Sequence, residues 1–518
     1  MVLIFLTSLF GPACSQKGLL LDPTGLSRQY FYEVDLNTLR KDRLSVRLTL
    51  FGVRAEELVF NFPRTVPGIY GAVDFGKYIT DFHAMAGKEE LPVERLSVNS
   101  WRIGNAAGLT EIRYDVDDGW EDYASPGSNQ YYLSAESSFT ANRVFVINNN
   151  CLFGYFSGGE EWPVYVSFTK PEDLFAATSL LNRSAQPDKD EFLAKNYREL
   201  VDHPILYAKP DTAWLNIGNT KVLVACYTDT GYRLADRVAT HIRTLLENQR
   251  VYMGDTLPVD RYSFLIYYSV NERTDQSFGE GLEHNTSTLC LFNAAWQADL
   301  LEHYIYNLAS HEFFHVLTPL NVHSEEIGRY DFLTPKMSQH LWMYEGMTEY
   351  ATMHMKVWQG LGSAKEFLDE VESKWWDMGR FDAGLSLTDL SRQAMEKQDQ
   401  YYNVYLKGAL VCMCLDIRLR EWSKGKYGTR DLMRDLAARY GKDRAFQDDA
   451  LFEVIASMTF PDIRRFFSDY VEGVKPLPLK EYLERAGIEV RNGGRNLRLS
   501  KSATPEQLQL RKWWLGQD

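Results

Sequence analysis

The sequence predicts two folded regions, an N-terminal all-β sandwich followed by an α+β domain with a large helical lobe. Residues 30–180 alternate apolar and polar side chains over short runs bounded by turn signals, a pattern typical of antiparallel strands. Residues 300–485 instead carry apolar side chains at helical spacing in nearly every segment. A chain of 518 residues is long enough for about three domains.

The individual elements follow this order along the chain. The clearest alternating runs in the β region lie at residues 44–50, 143–147 and 164–168. A stretch rich in Pro and Asp, residues 202–211, marks the approach to the second region. There, residues 221–227 and 262–270 have the pattern of strands, and a long helix near residues 232–252 lies between them. We therefore place the β sandwich at residues 17–195 and the α+β domain at residues 196–488.

Composition describes a globular, acidic protein. The chain is 45% hydrophobic and 14% aromatic, and its formal net charge is −14. This charge and the lack of a basic run argue against nucleic-acid binding, which needs cations that follow the phosphates. Five of the six cysteines are scattered and odd in number, so they indicate no disulfide framework.

The N-terminus predicts export. Residues 2–10 form an apolar run that is too short to span a bilayer and suits the core of a signal peptide. Small residues then precede Cys14, as at a bacterial lipoprotein cleavage site. We expect residues 1–16 to be a signal or lipoprotein peptide. The protein would then reside in the periplasm or cell envelope of a bacterium, with membrane attachment only through a lipid on Cys14.

Residues 311–315, His-Glu-Phe-Phe-His, carry the strongest functional signal. On a helix, His311 and His315 lie one turn apart on one face, where both imidazoles can bind one Zn²⁺. Glu312 then lies beside the metal and can take a proton from a water bound to it. Because such a motif also arises by chance, a third ligand is needed to support it.

Several positions can be compared as that third ligand. A metzincin site is excluded, because Asn321 and Thr318 stand where that class has a His and a Gly. Glu325 and Glu326 lie in a polar stretch, residues 323–331, which we expect to be a solvated loop.

Glu345 is the favoured third ligand. It lies in residues 339–350, whose apolar content predicts a partly buried helix, and a buried carboxylate is costly unless it is paired or metal-bound. Glu349, one turn further, can accept a hydrogen bond from a ligand imidazole and fix its tautomer. Two His, one Glu and an open fourth position form the pattern of a catalytic zinc site.

With these motifs the chain resembles the glycyl aminopeptidase family of gluzincin metallopeptidases, which are relatives of thermolysin and of the larger zinc aminopeptidases. Residues 281–284, Gly-Leu-Glu-His, are similar to a segment of that family that corresponds to an exopeptidase motif. Residues 405–411 resemble its Tyr-x-Lys-Gly-Ala segment, and residues 62–75 resemble its N-terminal β domain. The match runs from about residue 28 to about residue 490. One departure is Glu280, where many members have Gly.

The resemblance implies a thermolysin-like catalytic domain with one Zn²⁺ per chain. It also implies an enzyme that hydrolyses N-terminal residues from peptides through a metal-activated water. Tyr405 would donate a hydrogen bond to the oxyanion of the tetrahedral intermediate, a task for a neutral donor. Glu283 would bind the α-ammonium group of the substrate, and Gly281 would allow the backbone to approach closely.

Two alternatives remain open at this point. A zinc endopeptidase would use the same chemistry but accept residues upstream of the cleaved bond. A catalytically silent surface binding protein is disfavoured, because it has no need of intact ligands, a base and a tyrosine.

The C-terminal residues predict a short tail. Many members of the family carry a PDZ domain after the helical lobe, but only about 30 residues follow Ile488, fewer than a domain needs. We expect residues 489–518 to contain a hairpin near residues 492–494 and a short helix or tail from Thr504, with no PDZ domain.

Overall fold

The computed structural model describes residues 29–120, 133–269, 279–293 and 298–516. The apolar run at residues 2–10 and Cys14 lie outside the described residues. The strands are β1 (Tyr30–Asp35), β2 (Arg43–Thr49), β3 (Glu57–Asn61), β4 (Ile79–Ala86), β5 (Glu89–Glu90), β6 (Val93–Arg95), β7 (Ser100–Gly104), β8 (Glu111–Asp117), β9 (Ser138–Thr140), β10 (Val144–Ile147), β11 (Tyr155–Phe156), β12 (Val164–Thr169), β13 (Phe175–Ala177), β14 (Lys189–Ala194), β15 (Ile205–Ala208), β16 (Thr212–Ile217), β17 (Thr220–Thr228), β18 (Arg261–Ser269), β19 (Gly279–His284), β20 (Ser287–Asn293), β21 (Ile488–Arg491) and β22 (Asn496–Leu499). The helices are α1 (Asn149–Leu152), α2 (Tyr197–Val201), α3 (Ala235–Tyr252), α4 (Ala298–Phe314), α5 (Glu325–Gly328), α6 (Leu341–Trp358), α7 (Ala364–Met378), α8 (Leu387–Arg392), α9 (Asn403–Ser423), α10 (Thr429–Arg439), α11 (Leu451–Met458), α12 (Ile463–Tyr470), α13 (Leu479–Arg485) and α14 (Pro505–Leu515).

The predicted fold class, a β region followed by a largely helical region, is confirmed. In the β region, a seven-stranded sheet has the order β14-β12-β1-β2-β8-β4-β5, and it faces a four-stranded sheet of order β11-β3-β7-β6. Their inner faces share one core of buried aliphatic and aromatic side chains. The half-buried ring of Phe82 stacks on the buried ring of Trp101 at the edge of this core, with centroids 5.2 Å apart. Most neighbouring strands are antiparallel, as predicted, but β1 and β12 run parallel.

A third sheet joins the β region to the region that follows. It has the order β13-β15-β10-β9, and its strand β15 lies beyond residue 195, where we expected the β region to end. Val146 and Leu206 of this sheet pack in one apolar cluster with Leu223, Leu265 and Leu289. Because these last three residues belong to the next sheet, the two regions share a core.

The second region begins with a five-stranded mixed sheet of order β16-β17-β18-β20-β19. The predicted strands at residues 221–227 and 262–270 are β17 and β18, and the predicted helix between them is α3. Strands β17, β18 and β20 are parallel, whereas β19 pairs with β20 in the antiparallel direction and forms an edge of the sheet.

Helices α6 and α9 form the centre of the helical lobe. They cross where Gly346 meets Gly408, and a Cβ atom on Gly346 would lie 2.4 Å from the carbonyl carbon of Gly408. Only glycine permits this approach. The crossing brings the segment around Glu345 close to the start of α9, where Tyr405 lies.

The stretch at residues 323–331 differs from the expected solvated loop. It contains the short helix α5, and Glu326 has a side chain that is 4% exposed and pairs with Lys336 at 2.7 Å. Only the Glu326 side chain is covered, and its charge is paired with Lys336, whose side chain is 79% exposed. This polar stretch therefore combines a short helix with an ion pair that reaches the surface.

The described C-terminal residues form the predicted hairpin and helix. Strands β21 and β22 pair around residues 492–494, and α14 begins with a capping box between Thr504 and Gln507. Trp514 of α14 is fully buried in the core of the helical lobe. Among the described residues, no helix is both long enough and apolar enough to cross a membrane.

Candidate metal and catalytic site

Three predicted ligands converge between α4 and α6. Nε2 of His311 lies 3.4 Å from Oε2 of Glu345, and Nε2 of His315 lies 3.5 Å from the same oxygen. One potential ligand atom from each residue lies within 4.8 Å of the others. Ligands about 2.0–2.2 Å from a tetrahedral ion are separated by about 3.3–3.6 Å, so the two contacts to Glu345 fit an ion the size of Zn²⁺.

The two histidines reach this point from the end of one helix. Helix α4 ends at Phe314, so His315 lies in the following turn rather than within the helix that we predicted. The chain tightens there, because the amides of Val316 and Leu317 donate to carbonyls three residues earlier. His315 nevertheless stays beside His311, with ring centroids 4.8 Å apart.

The remaining ring nitrogens of both histidines are held by hydrogen bonds. Nδ1 of His311 lies 3.0 Å from Oε2 of Glu349, the contact expected from the sequence, and Nδ1 of His315 lies 3.0 Å from the carbonyl oxygen of Thr318. Each Nδ1 therefore donates its proton to an oxygen, and each Nε2 is left as an acceptor that can bind a metal.

Lys374 is a site residue that sequence reasoning missed. Its Nζ lies 2.5 Å from Oε1 of Glu349, so Glu349 bridges Lys374 and His311. Burial would raise the pKa of Glu349, but the hydrogen bond to His311 and the charge of Lys374 outweigh burial and hold this pKa below its usual range. A lysine on the amphipathic helix α7 gives no sequence signal of this role.

Tyr70, from the β region, is the second residue that was missed. Its hydroxyl donates a 2.6 Å hydrogen bond to Oε1 of Glu345. Burial would raise the pKa of Glu345, but His315, His311 and this hydroxyl together lower it. Tyr70 belongs to the segment that resembles the N-terminal domain of the family, but nothing in its local sequence points to the metal cluster.

Glu312 lies next to the three ligands and is 5% exposed. Its Oε2 is buried without a hydrogen-bond partner among the described residues, as expected for a group that works on a water or substrate. Burial raises the pKa of Glu312 to about 7, and the imidazoles of His311 and His315 oppose this shift. Gly281 makes room for Glu312, because a Cβ atom at Gly281 would lie 2.9 Å from Oε1 of Glu312.

Strand β19 places Glu283 on the same side as Gly281, two residues away. Ligand atoms of Glu283, Glu312 and His315 lie within 4.8 Å of one another. Burial raises the pKa of Glu283, while the charge of His315 opposes the shift. A buried carboxylate of this kind gains stability from a cation, such as the α-ammonium group of a peptide.

Glu280, the departure from the family pattern, points away from this cluster. Its Oε1 accepts a 3.0 Å hydrogen bond from the amide of Ser134, and burial raises its pKa to about 7. Side chains alternate along a strand, so Glu280 and Glu283 lie on opposite faces of β19. Glu280, which stands where many family members have Gly, therefore contacts the β region through Ser134 and points away from the cluster of metal ligands.

Tyr405 is distinguished from its neighbours by its position. The ring centroid of Tyr405 lies 5.9 Å from that of His311. Tyr402 is 53% exposed, and the ring of Tyr401 packs near that of Tyr70, with centroids 6.3 Å apart. Burial, followed by the charge of Glu345, raises the pKa of Tyr405 well above its usual value. The phenol is therefore neutral and can donate a hydrogen bond.

The fold and the cluster of His311, His315, Glu345 and Glu312 define a metallopeptidase. Two sequence models of one family match the chain, the peptidase M61 N-terminal domain over residues 31–209 and the M61 glycyl aminopeptidase over residues 304–411. Together they cover more than half of the chain in the order of the family. The chain belongs to the M61 glycyl aminopeptidase family.

Solved structures share the fold. An aminopeptidase N family protein from Idiomarina loihiensis is 24% identical, with a TM-score of 0.76 over 89% of this chain and 79% of that chain. An M1 zinc metallopeptidase from Deinococcus radiodurans is 12% identical, with a TM-score of 0.52 over 89% of this chain and 97% of that chain. Yeast LTA4 hydrolase is also 12% identical, with a TM-score of 0.51 over 88% of this chain and 70% of that chain. Comparison with curated protein sequences gives no match.

Proposed function

We propose that this protein is a zinc-dependent aminopeptidase that hydrolyses N-terminal residues from peptides through a metal-activated water, with one Zn²⁺ per chain. The observation that carries the proposal is that ligand atoms of Glu283, Glu312 and His315 lie within 4.8 Å of one another, beside the cluster of His311, His315 and Glu345. A carboxylate able to hold a free α-ammonium group therefore lies next to the base and the metal ligands.

His311, His315 and Glu345 would hold the zinc, which when bound polarises the scissile carbonyl and lowers the pKa of water. Glu312 would take a proton from the water whose oxygen adds to the scissile carbonyl carbon. It would then deliver that proton to the leaving amine as the carbon–nitrogen bond breaks. Its buried Oε2 has no hydrogen-bond partner in the described part of the chain, which supports this role, because a hydrogen-bonded carboxylate would be a weaker base.

Two further residues position the substrate. Glu283 forms an ion pair with the α-ammonium group and thereby sets the distance from the N-terminus to the scissile bond. Tyr405 donates a hydrogen bond to the oxyanion, which stabilises charge that develops in the transition state. The neutral state of Tyr405 and its place beside His311 support this assignment.

Hydrolysis of aminoacyl chromogenic substrates, with and without a chelator, tests the proposal. We expect activity that the chelator removes and that Zn²⁺ restores. Acetylation of the substrate N-terminus should abolish cleavage, because the acetylated nitrogen carries no charge for Glu283. Cleavage that survives acetylation would indicate an endopeptidase, and zinc binding without any cleavage would indicate a binding protein.

We also propose that the protein is exported to the periplasm or cell envelope of a bacterium and carries a lipid on Cys14. The support is the apolar run at residues 2–10 and the small residues that precede Cys14. Cell fractionation of the full chain and of Cys14→Ser tests both statements. Export should persist in the variant and membrane association should be lost, whereas a cytoplasmic full chain would contradict the proposal.

A further inference from the structure

We propose that Tyr70 is a positioning residue for the metal ligand Glu345, so that the metal site is built from both regions of the chain. The inference rests on the proposed function, because it takes Glu345 as a ligand. It goes further by assigning a part of the site to the β region, 275 residues away in sequence.

The two oxygens of Glu345 have different surroundings. Oε1 accepts the 2.6 Å hydrogen bond from the hydroxyl of Tyr70, whereas Oε2 faces the Nε2 atoms of His311 and His315. Glu345 is 2% exposed and Tyr70 is 9% exposed, so water has little access to this hydrogen bond. The hydroxyl therefore fixes the rotation of the carboxylate and directs Oε2 toward the metal position.

Tyr70 completes a pattern in the cluster. Glu349 holds the far nitrogen of His311, and the carbonyl of Thr318 holds the far nitrogen of His315. Tyr70 holds the far oxygen of Glu345 in the same way. Each of the three ligands thus has one atom fixed by a neighbour and one atom turned toward the others.

The segment that carries Tyr70 is itself held in place. The amide of Arg64 donates to the carbonyl of Phe332 at 2.8 Å, and the side-chain amide of Gln398 donates to the carbonyl of Tyr70. Gly68, with φ of +85°, lies against the site, since a Cβ atom there would be 2.8 Å from Oε2 of Glu283. One segment of the β region therefore contacts both the ligand Glu345 and the proposed anchor Glu283.

Tyr70→Phe tests the role, because it removes only the hydroxyl. We expect the zinc affinity of the full-length protein to fall about 10- to 100-fold, as measured by competition with a chromophoric chelator. The absorption spectrum of bound Co²⁺ should also shift, because a freed carboxylate can change its coordination. Neither measurement depends on peptidase activity.

Tyr78→Phe is the matched control. Tyr78 is also buried in the β region and also donates a 2.6 Å hydrogen bond to a buried carboxylate, that of Glu136. Glu136 is not among the metal donors, so this variant should lose stability without losing zinc affinity. Equal zinc affinity in Tyr70→Phe, Tyr78→Phe and the unchanged protein would overturn the inference and leave the proposed function intact.

Gln398→Ala provides a second variant in case Tyr70→Phe does not fold. It retains the hydroxyl but removes the hydrogen bond to the carbonyl of Tyr70, and we expect zinc affinity to fall about 2- to 10-fold. An unchanged affinity in Gln398→Ala would then overturn the inference. If the unchanged protein fails to bind zinc at all, the proposed function fails instead, so the two failures are distinguishable.

Discussion

Helix α6 contributes side chains to two clusters of histidine and carboxylate groups, the metal cluster around Glu345 and a second cluster around His354. In the metal cluster, His311 and His315 each have Nδ1 held by an oxygen and Nε2 turned toward Glu345. In the second cluster, both nitrogens of His354 are hydrogen-bonded, since the hydroxyl of Tyr252 donates to Nδ1 and Nε2 donates to the carbonyl of Trp514, each at 2.7 Å. The two clusters therefore differ at the Nε2 atom: in the metal cluster it faces a carboxylate and can bind a metal, whereas in His354 it is used in a hydrogen bond to a backbone carbonyl.

The second cluster is a structural network. Asp416 accepts hydrogen bonds from the hydroxyl of Tyr350, Nε of Arg420 and the amide of Thr429. Trp514 in turn donates to the hydroxyl of Tyr350 at 3.0 Å, which ties α14 to α6. Because the charges and hydrogen bonds of this network are largely matched from within, it needs no ion, and its disruption should affect stability alone.

The largest expected effect is a loss of activity in the metal cluster, where the proposed base Glu312 is replaced. Glu312→Gln should lower kcat about 10²- to 10⁴-fold without removing zinc, because an amide cannot accept the proton. Steady-state kinetics and metal content measure the two quantities. Glu280→Gln is the matched control, since Glu280 is also a carboxylate with a pKa of about 7 near β19 but lies on the other face. Activity that persists in Glu312→Gln would contradict the assigned base.

The next effect concerns the stability of the structural network in acid. Burial lowers the pKa of His354 to about 4. The charge of Asp416 opposes this shift, and the charge of Arg420 adds to it. In the unfolded chain this pKa is about 6.5, so the unfolded state binds a proton first as the pH falls. The contribution of His354 is therefore complete above pH 6.5 and is lost toward pH 4, at a cost of about 3 kcal/mol.

Urea unfolding of the metal-free protein between pH 8 and pH 4 measures this loss. Asp416 also faces the ring, with Oδ2 3.6 Å from Nε2; burial would raise its pKa, but Arg420 and His354 outweigh burial and hold this pKa below its usual value. Glu280 and Glu312 titrate in the same range, so the contribution of the imidazole is the difference between the profile of the unchanged protein and that of His354→Gln. His354→Gln should remove the corresponding part of the pH dependence. Identical pH profiles for the two proteins would show that His354 is not held neutral in the folded state.

Local relations in this molecule were predictable from sequence, and distant ones were not. The fold class and the family followed from periodicity and from motifs such as residues 311–315, because these depend on neighbours within a turn. The pairing of β1 with β12 and the third sheet could not be predicted, because alternation identifies a strand and not its partner. The same limit hid Tyr70 and Lys374, which reach the cluster only through packing of whole elements.

A smaller effect is expected at Glu349, where a loss of zinc affinity would separate the metal cluster from the structural network around His354. Glu349→Ala should weaken zinc binding about 10- to 100-fold while the protein stays folded, because the tautomer of His311 is then no longer fixed. Chelator competition measures the affinity, and thermal unfolding checks the fold. His354→Gln is the control, because it should lower stability and leave zinc affinity unchanged. If Glu349→Ala changes only stability, and by a few tenths of a kcal/mol, the residue is an ordinary helix side chain.

The smallest effect concerns Lys374, which lies one contact further from the metal. Lys374→Met should weaken zinc binding by only about 2- to 10-fold, because Glu349 keeps its hydrogen bond to His311 and loses one fixed partner. Lys365→Met on the same helix is the control, since Lys365 is 80% exposed and, within the described part of the chain, forms its one ion pair with Asp369 at 2.5 Å.

Lys374→Arg should restore most of the affinity, because it retains the cation. The decisive measurement is the double variant with Glu349→Ala, where removal of Lys374 should cost nothing further if Lys374 acts through Glu349. Additive losses in the double variant would instead mean that Lys374 affects the metal cluster by its charge alone, independently of the carboxylate that it contacts.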